Sequence, residues 1–173
     1  MKITILSLFP DEISTFIRKG ILKRALEKGL FELSTVNIRD YSKTSYKQVD
    51  DYPFAHKTGM LLKADVLYEA ITSQPNYKES KILYPCPKGV LYSHEKAAEL
   101  SHSNQDIIII VGYYEGIDDR LLKSLPIQSI SLGDTILLSG ELPAMLITES
   151  IVRYIPGVVG NKICVENDSV LSG

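Results

Sequence analysis

Three turns in this 173-residue chain pair glycine or proline with a preceding apolar run. Gly112-Tyr113-Tyr114-Glu115-Gly116-Ile117-Asp118 follows the run at 107–111. Ser131-Leu132-Gly133-Asp134 follows the run at 127–131 and continues through Thr135, Ile136 and Leu137 to Gly140-Glu141-Leu142-Pro143-Ala144-Met145. Tyr84-Pro85-Cys86-Pro87-Lys88-Gly89 closes the run at 81–84. Runs of this kind read as buried strands, and turns at their ends gather backbone amides where α/β proteins hold small ligands. Taken singly, such glycines equally serve plain turns, and the loops alone leave both readings open.

The elements that must position these turns follow from periodicity. Residues 2–8 read as a central strand ended by Pro10, and 31–38 as a second strand. Helical spacing runs from Ile13 to Leu26, with Gly29 as stop and Gly20 as a break. Residues 39–60 are polar, tyrosine-rich and aperiodic, a long loop. A helix is expected over 64–73 and another after a Ser93 cap. Asp118 begins a short helix. The last helix starts near Glu141, tolerates Pro143 in its first turn and stops at Pro156-Gly157. The stretch 85–89 is expected to be loop, because its two prolines offer no amide donors. The alternation predicts an α/β fold with a largely parallel sheet covered by helices on both faces, and general rules predict an unknotted path.

Composition narrows the classes. Hydrophobic residues make up 45% and charged residues 23%, as in soluble globular domains, and no apolar run has the length to span a bilayer. The cytoplasm is the expected compartment, with no membrane partner. Net charge is −2, which argues against gripping nucleic acid by bulk electrostatics. The balance is uneven: residues 1–86 carry 13 Lys+Arg against 10 Asp+Glu, and residues 87–173 carry 6 against 11. Arg18, Lys19, Lys23, Arg24 and Lys28 cluster on one expected helix, a solvated face or a polyanion contact. Cys86 and Cys164 lack metal-ligand spacing, so neither a metal site nor a disulfide is expected. Tyr41, Tyr46 and Tyr52, interleaved with Lys43 and Lys47, form a weak nucleotide-stacking pattern, and His56 reads as a surface histidine.

Colinear motifs say more. Ser7-Leu8-Phe9-Pro10, Val49-Asp50-Asp51, Gly59-Met60-Leu61, Tyr114-Glu115-Gly116-Ile117-Asp118, Ser131-Leu132-Gly133-Asp134, Gly140-Glu141-Leu142-Pro143-Ala144-Met145 and Arg153-Tyr154-Ile155-Pro156-Gly157-Val158 span nearly the whole chain. In that order they resemble the bacterial tRNA (guanine-N1)-methyltransferases of the SPOUT superfamily. The resemblance implies a parallel sheet with a C-terminal trefoil knot, a homodimer, S-adenosyl-L-methionine as cofactor and tRNA as partner. It places the cofactor on Tyr84, Pro85, Cys86 and Pro87, on Gly112, Tyr114 and Glu115, and on Leu132, Gly133, Asp134, Thr135, Ile136, Leu137 and Gly140. It aligns the catalytic aspartate with Asp168 and the catalytic arginine with Arg153. Methylating guanine N1 needs a base for its proton and a cation near O6, which this pair supplies. Under the same resemblance Glu115 would offset the sulfonium or amino charge, or contact the target base.

The chain departs from that pattern in places. Ala55-His56-Lys57-Thr58-Gly59-Met60 stands where several glycines are expected, Tyr113 where an arginine is expected at the rim of the site, and Leu138-Ser139-Gly140 where two glycines are expected. Residues 1–160 are expected to form the cofactor-binding domain and 161–173 a short tail beginning the family's interdomain linker. On this reading the chain is a truncated form without the helical tRNA-gripping domain. Beside methyl transfer, a cofactor-binding dimer without tRNA methylation and a knotted scaffold without ligand fit the same residues.

Overall fold

The computed structural model describes residues 1–52 and 59–160. Strand β1 (Lys2–Ser7) is followed by α1 (Pro10–Ile17), α2 (Gly20–Glu27) and β2 (Glu32–Asn37). The predicted break falls at Gly20, whose φ of +55° is left-handed, so the single helical pattern of the sequence becomes two short helices. A 3₁₀ turn (Ile38–Tyr41) and a short strand, β3 (Asp50–Asp51), give structure to the stretch 39–60 expected to be one long loop, and a second short strand, β4 (Leu61–Leu62), follows it. Then come α3 (Ala64–Thr72), β5 (Lys81–Leu91), α4 (His94–His102), β6 (Ile107–Ile110), α5 (Asp119–Ser124), β7 (Ile127–Ser131) and α6 (Glu141–Arg153). The predicted cap at Ser93 is present, and Asp118, expected to begin a helix, caps one that starts at Asp119. The side chain of Ser93 accepts from the Lys96 amide and that of Asp118 from the Arg120 amide.

Five strands form one parallel sheet in the order β2-β1-β6-β5-β7, and β3 pairs with β4 antiparallel beside it. The four isoleucines of β6 are all buried, as are Ile3 to Ser7 of β1. Burial of consecutive residues requires cover on both faces, because side chains alternate. Two groups of helices provide it: α6 packs on α1 and α4, whereas α3 packs on α5 and the 3₁₀ turn.

Strand β5 corrects the expectation at 85–89. It runs through the prolines, but its pairing with β7 jumps: Pro85 and Val90 both register with Ile130, so Cys86, Pro87, Lys88 and Gly89 form an excursion. Pairing with β6 stops at Leu83, so Pro85 has a strand neighbour on one side only and its missing amide breaks no ladder on the other. Where the excursion returns, a Cβ on Gly89 would lie 2.4 Å from the Ile130 nitrogen, a closeness only glycine permits.

Candidate functional site

Sheet order decides where the three turns go. Strands β6, β5 and β7 are adjacent and parallel, so the turns after Ile110 and Ser131 and the β5 excursion all emerge at the same sheet end. They touch. The Gly140 amide donates to the Gly112 carbonyl at 2.9 Å, joining the chain that follows β7 to the turn after β6. A Cβ on Gly112 would lie 2.9 Å from the Tyr84 ring, one on Gly116 3.1 Å from its hydroxyl, and one on Gly140 2.8 Å from the Gly112 nitrogen. These glycines therefore serve contact between turns. Gly133, with φ +109° and nothing within 4 Å of its missing Cβ among the described residues, is the one that faces open space there.

The predicted cofactor residues divide by exposure. Tyr84, Pro85 and Gly140 are buried and make the inner wall, whereas Cys86, Gly112, Leu132 and Gly133 are half-buried. Pro87, Tyr114, Glu115, Asp134, Thr135, Ile136 and Leu137 form an exposed rim. Burial pushes the Tyr84 phenol up to about 12, with the neighbouring Cys86 adding to the shift, so this hydroxyl stays protonated at neutral pH. Tyr114 takes a left-handed φ of +57°, uncommon for a residue with a side chain and a mark of a turn held by its surroundings.

The β6 turn is braced from outside by residues 59–62, which the sequence offered only as the end of a long loop and part of a family motif. The Glu115 amide donates to the Met60 carbonyl at 3.0 Å, the Leu62 amide to the Gly116 carbonyl at 3.0 Å, and the Asp118 amide to the Leu62 carbonyl at 3.3 Å. Gly59 permits this approach, since a Cβ there would fall 2.5 Å from the Glu115 side chain. The far end of the turn is fixed by the Asp118 carboxylate, which takes Arg120 Nη2 at 2.6 Å and Nε at 3.0 Å. Those bonds from Arg120 hold the carboxyl below the usual range.

Position 113, expected at the rim, is interior. Tyr113 is 8% exposed, packed edge-on against Phe9 at 5.9 Å, with its hydroxyl inside the fold. Arg153 ends α6 and lines a groove of about 710 Å³ together with Leu132 and Leu137 of the β7 turn, so the structure brings the predicted arginine beside one of the three candidate cofactor loops. Phe16, Ile21, Leu142 and Leu146 line the same groove and are 40%, 51%, 63% and 50% exposed. This face was missed in the sequence, although Leu142 and Leu146 stand at i,i+4 on one helix and the next turn down carries Glu149. Asp168, Cys164 and His56 lie outside the described residues. Among the described residues there is no cluster able to hold a metal ion.

The model of the family described as tRNA (Guanine-1)-methyltransferase TrmD matches residues 1–173. The chain belongs to this family. It is 43% identical over 173 residues to a tRNA (guanine-N(1)-)-methyltransferase of Staphylococcus epidermidis (strain ATCC 12228 / FDA PCI 1200), covering all of this chain and 70% of that protein. It is 42% identical over the same length, with the same coverage, to the enzyme of that name from Staphylococcus aureus (strain JH9). For a TrmD family member the touching turns after β6 and β7 and the β5 excursion gain a specific reading. They are the three stretches on which the sequence resemblance placed a cofactor. Among the described residues no helix is long and apolar enough to cross a membrane.

Proposed function

We propose that this TrmD family member is an S-adenosylmethionine-dependent methyltransferase that transfers a methyl group to N1 of a guanine in tRNA. The observation that carries the reading is the convergence of the three turns at one sheet end, in a chain that matches the family along its whole length. The residues present fit the cofactor. Gly133 leaves its backbone open to a ligand, the apolar side chains of Leu132, Ile136 and Leu137 suit the faces of a purine nucleoside, and the exposed Glu115 carboxylate suits its positive charge. When bound, S-adenosylmethionine supplies an electrophilic methyl on a sulfonium. The chain's own part is to hold the guanine in line, to take the N1 proton onto Asp168 and to steady the charge at O6 with Arg153.

The finer parts of the reading belong to the same proposal. Residues 1–160 form the cofactor-binding domain, 161–173 begin a linker, and the cytoplasm is the place of action. The C-terminal part is tied in the trefoil knot of the SPOUT fold. The Gly140–Gly112 bond supports this, because it brings the chain after β7 back onto the β6 turn. The protein works as a homodimer through the apolar groove, a face of a kind that monomers rarely leave uncovered.

Incubation with tritiated S-adenosylmethionine and a tRNA transcript carrying guanine after the anticodon is expected to label that guanine at N1. Tight S-adenosylhomocysteine binding without labelling at excess protein would reduce the proposal to cofactor binding. The dimer has its own test. The unmodified chain is expected to sediment as two copies and Leu142→Glu, which puts a charge on the groove, as one; a wild-type monomer at micromolar concentration would overturn it.

A further inference from the structure

The Tyr113 hydroxyl joins three parts of the chain that are far apart in sequence. It lies 2.9 Å from Ser7 Oγ, 3.2 Å from the Leu8 amide nitrogen, and in a hydrogen bond with Glu141 Oε1. Donor counting gives the network a direction. The Leu8 amide can only donate and a carboxylate can only accept, so the phenol gives its single proton to Glu141. Its oxygen then takes the Leu8 amide and the Ser7 hydroxyl proton, while Ser7 Oγ accepts from the Phe9 amide at 2.8 Å. The end of β1, the turn after β6 and the first residue of α6 are thereby tied at one buried point.

Glu141 is an unusual residue for that point. It is 7% exposed, and its second oxygen, Oε2, is shielded from solvent with no hydrogen-bond partner among the described residues. A carboxylate so placed gains from the amide dipoles at the start of α6 but leaves half of its accepting capacity unused, an arrangement not chosen for stability alone. Its neighbours in sequence show what the placement serves. Gly112 and Tyr114 flank Tyr113, Gly140 precedes Glu141, and Gly112 and Gly140 are themselves hydrogen-bonded. The Tyr113–Glu141 bond thus joins two of the three candidate cofactor turns, at the residue next to the left-handed Tyr114.

We infer that Tyr113 and Glu141 are positioning residues for the cofactor: their buried hydrogen bond fixes the β6 turn against the start of α6 in the one arrangement that accepts S-adenosylmethionine. The inference rests on the cofactor reading above. The test titrates S-adenosylhomocysteine by calorimetry into the unmodified chain and into Tyr113→Phe, Glu141→Ala, Glu141→Gln and the Tyr113→Phe/Glu141→Ala double variant. All are held at a temperature where circular dichroism shows them folded, and melting temperatures are recorded alongside. Tyr113→Phe and Glu141→Ala are each expected to weaken binding about tenfold, the order expected for one lost charge-assisted hydrogen bond. Glu141→Gln, whose amide oxygen still accepts from Tyr113, should stay within about threefold of the unmodified chain. The double variant should bind no more weakly than the weaker single, because both remove the same bond.

A lowered melting temperature with unchanged affinity in Tyr113→Phe would show a merely structural role and overturn the inference. So would Glu141→Gln binding as weakly as Glu141→Ala. If Tyr113→Phe does not fold, the Glu141 pair decides by the same comparison. An unmodified chain that fails to bind S-adenosylhomocysteine removes the cofactor reading itself, and the inference with it; binding by the unmodified chain with equal binding by every variant removes the inference alone.

Discussion

Gly140→Ala is expected to weaken S-adenosylhomocysteine binding by about a hundredfold or more while the sheet stays folded. The added Cβ would stand 2.8 Å from the Gly112 nitrogen, 3.2 Å from the Gly112 oxygen and 3.2 Å from Val111 Cγ1. Two of these are backbone atoms of a turn already fixed by the bond from Gly140, and backbone cannot swing aside as the tip of a flexible side chain can. The turns after β6 and β7 must therefore separate. Displacements of about an ångström in a binding or reacting constellation cost on the order of a hundredfold. The measurement is calorimetric titration at 25 °C with circular dichroism of the same samples. Gly160→Ala, whose Cβ meets nothing within 4 Å among the described residues, serves as the control. Unchanged affinity in Gly140→Ala would show that the contact between the two turns does not shape the site.

Asp168→Asn is expected to lower the single-turnover rate of methyl transfer by about 10²–10⁴ while cofactor affinity stays the same. That range is what a positioned general base contributes, and the substitution keeps the shape of the side chain while removing its capacity to take the guanine N1 proton. Arg153→Ala is expected to act on the same step through O6, without the loss of the base. Rapid-quench measurement of labelled tRNA at saturating enzyme separates this step from binding. An Asp168→Asn chain that methylates at the unmodified rate would remove Asp168 from the chemistry and leave the base to another group.

What was legible in the sequence was local. Periodicity and turn residues located β1, β7 and the start of α6, and the caps at Ser93 and Asp118 are set by short-range hydrogen bonding. Colinear motifs located the family. The misreadings share one cause. Proline was taken to end β5, yet a strand with a neighbour on one side tolerates it, and which side is open depends on the arrangement of other strands. Position 113 was taken for the rim because the family resemblance places an arginine there. Its burial follows from Phe9, Ser7 and Glu141 converging on it from elsewhere in the chain.

The sequence by itself determined most of the elements and the lineage, because these are written in residues close together or in motifs of fixed order. Only the tertiary structure decided that β5 lies between β6 and β7, and so that three turns separated along the chain share one sheet end. It also showed that Gly112 serves close contact with Tyr84 and Gly140 with Gly112, while Gly133 faces open space among the described residues. The physical reason is that strand order and close approach are set by non-local packing, in which one missing Cβ matters only when the atom it would strike comes from a distant part of the chain.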